Sequence, residues 1–217
     1  MTWPRRRRLL ISLLAVGACL VIVGLGAGLV LHALDERQRP ERVRHLADAL
    51  GLGPGDTVAE IGAGDGRMAV EMARIVGPKG QVIATEVGDG QLAAIAEAAR
   101  RAGLSNLSVV RAGERDSNLP PGCCDAVYMQ RVYHHLADPA SVIASIGRAL
   151  RPDARLAILD FEPGWIGNLT TPRGVPDRGG HGVPKSMLLD EMKRYGFQPA
   201  GPIEEFDSEL YLAIFRR

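Results

Sequence analysis

The sequence predicts an α/β chain built on a doubly wound, mostly parallel seven-stranded sheet, closed by a C-terminal antiparallel hairpin and preceded by one N-terminal hydrophobic helix. Three observations carry this expectation. From residue 41 onward short apolar runs alternate with helix-period patterns, which specifies parallel strands covered by helices on both faces. Near the end Phe197–Phe206 and Glu209–Phe215 read as two strands in direct succession, and such neighbours pair antiparallel. At the start, Leu9–Leu31 is 23 residues without a charge.

The elements follow in order. Arg5, Arg6, Arg7 and Arg8 precede the apolar stretch, which as a helix would extend roughly 35 Å, enough to cross a bilayer. Residues 1–34 are therefore read as a transmembrane anchor or signal segment. The anchor is favoured because a cleaved signal normally carries a shorter apolar region of about 7–15 residues. Arg37, Arg39, Arg42 and Arg44 follow closely, so the count of basic residues on the two sides is nearly balanced and orients the span weakly. Residues 35–40 are polar and read as a linker, and 41–217 as one domain. Glu41–Leu50 places Val43, Leu46, Ala47 and Leu50 on one helical face. Strands are expected at Thr57–Ile61, Gln81–Thr85, Leu107–Arg111, Ala126–Gln130 and Ala154–Asp160. Helices are expected at Gly66–Val76, Asp89–Ala102, Pro139–Leu150 and Pro184–Tyr195.

Composition narrows the function classes. At 217 residues, 46% hydrophobic and 24% charged, the chain has ordinary globular usage. The net charge is +1, but the four leading arginines supply that excess, so the remainder is mildly acidic and gives no global reason to bind nucleic acid. Cys19, Cys123 and Cys124 form no disulfide framework or zinc spacing. Neighbouring cysteines are rarely bridged to each other, and Cys123 and Cys124 are expected at the mouth of strand four without catalytic work.

The segment Val58-Ala-Glu-Ile-Gly-Ala-Gly-Asp-Gly-Arg67 puts Gly62, Gly64 and Gly66 where the first strand turns into a helix. Glycine there permits a tight turn and lets a ligand lie against the backbone. Glu86 follows Gly66 by 20 residues, at the end of strand two, where a carboxylate can accept from two ribose hydroxyls. This is a nucleoside pocket. A nicotinamide dinucleotide requires a third glycine where Arg67 stands, whereas Glu60 and Asp65 would repel a pyrophosphate and suit a ligand carrying an ammonium and a sulfonium. S-adenosylmethionine is such a ligand.

With these motifs, residues 41–217 resemble the class I S-adenosylmethionine-dependent methyltransferases. VAEIGAGDGRM is similar to the family's first motif, LPPGCCDAVYMQRVYHHLADP to its segment through strand four, and LRPDARLAILDF to its turn into strand five. Asp153 and Ala154 stand where the family usually has glycines. The resemblance implies that Glu60 and the Gly62–Gly66 loop lie at the methionine part of S-adenosylmethionine, Glu86 at the ribose, and Glu114 and Asp116 at the adenine.

Ligands of open α/β sheets bind beyond the carboxyl ends of the strands, so Arg131, Tyr133, His134 and His135 fall beside the transferable methyl group. Methyl transfer is an in-line displacement in which alignment and exclusion of water supply much of the acceleration. His134 and His135 are candidate bases for an acceptor that begins protonated, one facing the site and the other packing. No metal is expected, because adjacent histidines seldom reach one ion. Tyr133 is a candidate for steering substrate. The Gly- and Pro-rich segment Glu162–Pro184 is too long for an ordinary connection and reads as a lid; it carries Trp165, Arg173, Arg178 and His181, the last a further site candidate. Asp160 and Glu162 are read as solvated acids, with assistance to a metal as the alternative.

The reading is thus a membrane-anchored methyltransferase acting on a small-molecule or lipid-like acceptor. The domain is placed on the cytoplasmic side, where S-adenosylmethionine is made, with export after signal cleavage as the alternative. A non-catalytic S-adenosylmethionine-binding scaffold and a nicotinamide-dependent oxidoreductase are the competing functions.

Overall fold

The computed structural model describes residues 37–164 and 173–217. The chain divides into two compact units, Met1–Glu41 and Arg42–Arg217. The apolar stretch 9–31 lies outside the described residues, and among those described no helix is long and apolar enough to cross a membrane. Residues 37–40, expected within a linker, are helical: they open helix α1 (37–50), whose Val43, Leu46, Ala47 and Leu50 are buried.

Strands β1 (Thr57–Ile61), β2 (Gln81–Glu86), β3 (Leu107–Arg111), β4 (Cys124–Gln130) and β5 (Leu150–Asp160) alternate with helices α2 (Arg67–Val76), α3 (Asp89–Arg101) and α4 (Pro139–Ala149). A single turn of 3-10 helix, Tyr133–His135, follows β4, and α5 (Lys185–Arg194) precedes the short strands β6 (Gln198–Pro199) and β7 (Glu204–Glu205) and the longer β8 (Tyr211–Arg216). The sheet runs β3-β2-β1-β4-β5-β8-β6, with β7 also on β8. β1 to β5 are parallel, and β8 returns antiparallel against β5.

The edge strand expected at Phe197–Phe206 is two fragments. β6 pairs with the Phe215–Arg216 end of β8 and β7 with its Tyr211–Leu212 end. Gly201 and Pro202 interrupt them; proline cannot donate to the ladder, so an edge is where the sheet tolerates it. The sheet therefore has seven strand positions, the last one broken.

Burial explains why these segments are strands. Val82, Ile83 and Ala84 are consecutive and all buried, as expected for a parallel strand covered on both faces. One face packs against α1, α2 and α3 through residues such as Leu46, Met72 and Ile95. The other packs against α4 and α5 through Ile143, Ile146, Leu188 and Met192. Asp138 caps α4 by accepting from Ser141 N at 3.0 Å, with Pro139 opening the helix. Asn106 Nδ2 donates to the carbonyls of Ala73 and Gly77, both at 2.9 Å, and so satisfies the C-terminus of α2. Asp153, standing where a glycine is usual, adopts a left-handed φ of 64°, a conformation that aspartate tolerates better than most residues.

Cys123 and Cys124, sequence neighbours of a kind rarely bridged, are bridged to each other at the start of β4. A register shift between β4 and β5 accompanies this end of the strand, between Cys124 and Ala126.

Candidate functional site

The carboxyl ends of the parallel strands converge on a cavity of about 450 Å³ whose walls include Gly62, Glu86, Val87, Asp116, Val132 and His135. Its position follows from the topology: β1 and β4 are neighbours at the point where strand order reverses, and the loops leaving them part to form a crevice.

Gly62, Gly64 and Gly66 all have positive φ, at 67°, 57° and 78°. A Cβ on Gly62 would lie 2.6 Å from Val132 Cγ2, and one on Gly66 would lie 3.0 Å from Ile95 Cα. The first glycine thus lets β1 turn beneath the β4 loop, and the third lets α2 begin against α3. The N–H of Gly64 donates to Glu86 Oε1 at 2.9 Å, and Val87 N donates to Glu86 Oε2 at 3.0 Å. Two backbone donors therefore fix the carboxylate at the pocket wall, and its remaining lone pairs are available to vicinal hydroxyls.

Glu60 is placed differently from the sequence expectation. It does not line the cavity; its buried carboxyl accepts from the Tyr128 hydroxyl at 2.9 Å. Burial pushes its pKa up to about 8, opposed by that hydrogen bond and helped by the negative charges of Asp65 and Glu86. At neutral pH Glu60 is a protonated strut beneath the glycine loop. Glu114 and Asp116 do line the cavity. Asp116 is already engaged, accepting from Asn118 N at 2.9 Å and from Arg148 Nη2 at 2.8 Å.

Tyr133 is also removed from the candidate site. It is fully buried, and its hydroxyl donates to Glu191 Oε2 at 2.6 Å. Burial and that carboxylate raise its pKa far above the ordinary phenol value, so it neither ionises nor reaches solvent. Arg178 joins the same buried cluster, 2% exposed, with Nη2 donating to Glu191 Oε2 at 3.0 Å and its guanidinium 5.1 Å from the centre of the Tyr133 ring. It locks the loop to α5, a role hidden in a Gly- and Pro-rich segment. Trp165 lies outside the described residues, and Arg173 is exposed.

The two adjacent histidines point in different directions. His135 is in the cavity wall. His134 is 3% exposed and its Nδ1 lies 2.8 Å from Asp160 Oδ1. Asp160, read from the sequence as a solvated acid, is fully buried at the end of β5 and also accepts from His134 N at 3.2 Å and Phe161 N at 2.9 Å. His181 arrives from the loop before α5, with ring centres 4.7 Å from His134 and 5.7 Å from His135. Desolvation, then the neighbouring imidazoles, lower the pKa of His135. Desolvation and then His134 do the same to His181. Glu162 accepts from Lys185 N at 3.1 Å and so caps α5. Arg131, with a left-handed φ of 56°, pairs with Glu209 at the rim.

Known proteins share the domain and the fold of this chain. Residues 59–158 match the family model described as a methyltransferase domain. The chain is 29% identical over 119 residues to a ubiquinone/menaquinone biosynthesis C-methyltransferase of Marinomonas sp. (strain MWYL1), covering 54% of this chain and 47% of that one. The corresponding Vibrio cholerae protein is 28% identical over 119 residues, covering 54% and 46%. The chain thus spans about half the length of these relatives. Among solved structures, an S-adenosylmethionine-dependent methyltransferase from Aquifex aeolicus superposes with a TM-score of 0.69 at 24% identity, covering 85% of this chain and 95% of that one. The [4+2]-cyclase SpnF superposes with a TM-score of 0.64 at 22% identity, covering 78% and 60%. The last likeness shows that the fold alone does not dictate the reaction.

Proposed function

We propose that this chain is a class I S-adenosylmethionine-dependent methyltransferase, a reading supported by the methyltransferase-domain match over residues 59–158, and that it moves the methyl group of S-adenosylmethionine to a small-molecule or lipid-like acceptor by in-line displacement. The observation that carries the reading is Glu86, fixed by two backbone N–H groups on the wall of a cavity that the glycine loop bounds on one side. Such a carboxylate binds the ribose, the glycine loop admits the methionine part, and the Ala112–Ser117 wall receives the adenine. With the cofactor held in this way, Val132 and His135 would border the acceptor end of the cavity. Residues there would align the acceptor and exclude water, and the bound cofactor would supply an activated methyl whose transfer leaves a neutral thioether behind.

A small acceptor is favoured by the size of the cavity and by relatives whose names place them in quinone biosynthesis. The apolar stretch 9–31 would hold the domain at a membrane, and cofactor supply favours the cytoplasmic side. The Cys123–Cys124 bridge supports the alternative, an exported domain, because disulfides persist in oxidising compartments. Thiol titration of the chain isolated under alkylating conditions separates the two: labelling at Cys123 and Cys124 supports the cytoplasmic side, and protection of that pair supports export.

The experiment for the function is incubation of the full chain, purified in detergent, with methyl-labelled S-adenosylmethionine and a panel of quinol, phenol and amine acceptors. Label transfer that Glu86→Ala lowers at least tenfold supports the reading. Cofactor binding without transfer to any acceptor would favour a scaffold.

A further inference from the structure

We propose that His134, His135 and His181 form a binding site for one divalent transition-metal ion, with Asp160 as the outer carboxylate that orients His134. The three side chains each offer one nitrogen, and these atoms all lie within 4.8 Å of one another. Across a tetrahedral zinc site the ligand nitrogens stand about 3.4 Å apart, from Zn–N bonds of about 2.1 Å. Small rotations of the two more accessible rings, His135 and His181, close that difference.

Adjacent histidines rarely share an ion in extended chain, but here they occupy a 3-10 turn, which brings their ring centres to 4.0 Å with a 43° tilt. The third ligand is fixed beside them by the fold. Val183 N donates to Phe161 O at 2.8 Å, and a Cβ on Gly182 would lie 2.6 Å from that same oxygen. Only glycine fits there, so the chain immediately after His181 is pressed onto the end of β5.

The surroundings are those of a metal site. His134 has Nδ1 committed to Asp160, which leaves Nε2 as its ligand atom, the arrangement in which a carboxylate sets both tautomer and ring orientation. The buried Asp160 charge offsets part of the charge of an ion. Phe161 packs its ring against His134 and His181, with centres 4.8 Å and 5.3 Å away, and forms an apolar wall. An all-imidazole donor set selects zinc, cobalt, nickel or copper over magnesium or calcium. Three protein ligands leave a fourth position, and His135 sets it at the cavity wall, where a hydroxyl, carbonyl or amine of a bound small molecule can coordinate.

The test uses the full chain without a histidine tag, stripped with chelator and titrated with Co²⁺ as a spectroscopic probe, with bound Zn²⁺ then counted by mass spectrometry. One ion per chain is expected, with visible absorption of tetrahedral cobalt that Zn²⁺ abolishes. His181→Ala and the double variant with His135→Ala should lose binding at least a hundredfold, and Asp160→Asn should weaken it about 10–100-fold. Each variant is compared with the parent by circular dichroism melting, so that misfolding is not mistaken for lost ligation. Glu86→Ala, at the other end of the cavity, should still bind Co²⁺, which separates this proposal from the methyltransferase reading. Stoichiometry near zero, or equal binding by parent and double variant, would overturn it.

Discussion

A single carboxyl group beneath the glycine loop gives a pH-dependent stability with a definite sign. Folded Glu60 titrates near 8, against an ordinary value of 4.5. Between those values the native chain holds a proton that the unfolded chain has released, so this group's contribution to stability falls as pH rises through the window and levels off above it. Glu60→Gln keeps a neutral partner for Tyr128. It should therefore match the parent near pH 4 and be more stable by about 4–5 kcal/mol at pH 9, read from denaturant melts of both chains. At the glycine loop, Gly62→Ala meets Val132 as well as an unfavourable φ, whereas Gly64→Ala meets only the φ. The first should cost about 2–4 kcal/mol and the second about 1–2. Equal costs would mean that Val132 gives way. Glu60 itself was readable from the sequence as a carboxylate near the loop. Its inward direction was not, because the side of the sheet it faces is decided by packing against Tyr128, 68 residues away.

Among the elements, α5 and the loop before it depend on the buried Arg178, Glu191 and Tyr133. Glu191→Ala leaves a buried guanidinium without its carboxylate and should destabilise the chain by about 3–5 kcal/mol. Tyr133→Phe removes one hydrogen bond and should cost about 1–2. Removing exposed Arg100, which pairs with Glu97 on the surface of α3, should leave the denaturation midpoint unchanged, because solvent screens the pair. Chemical denaturation of the three variants checks the ranking. The main elements were legible because a parallel strand is an unbroken apolar run and its covering helix a 3.6-residue stripe; β1 and β3 have the expected ends. The broken edge strand was less so, since Gly201 and Pro202 sit in a segment whose aliphatic and aromatic residues stand three apart and set no strand period. The buried cluster was hidden because Arg178 and Glu191 look like ordinary surface charges until long-range packing encloses them.

At the scale of the whole molecule, the topological switch between β1 and β4 creates the crevice, the glycine loop and Glu86 shape one end of it, and the imidazole cluster borders the other. The cofactor end was legible in the sequence because its residues lie in one strand–turn–helix–strand unit with fixed spacing. The convergence at the other end was not. His181 is 46 residues beyond His135 and meets it only after β5 and its following loop have returned to the same sheet edge.

The most direct test is calorimetric titration of the full chain in detergent with S-adenosylmethionine, with S-adenosylhomocysteine and NADH run alongside, for the parent and for Glu86→Ala. Saturable one-to-one binding of the adenosyl pair, no binding of NADH, and at least tenfold weaker binding by the variant are expected. Failure of the parent to bind S-adenosylmethionine, or identical binding by Glu86→Ala, would contradict the account.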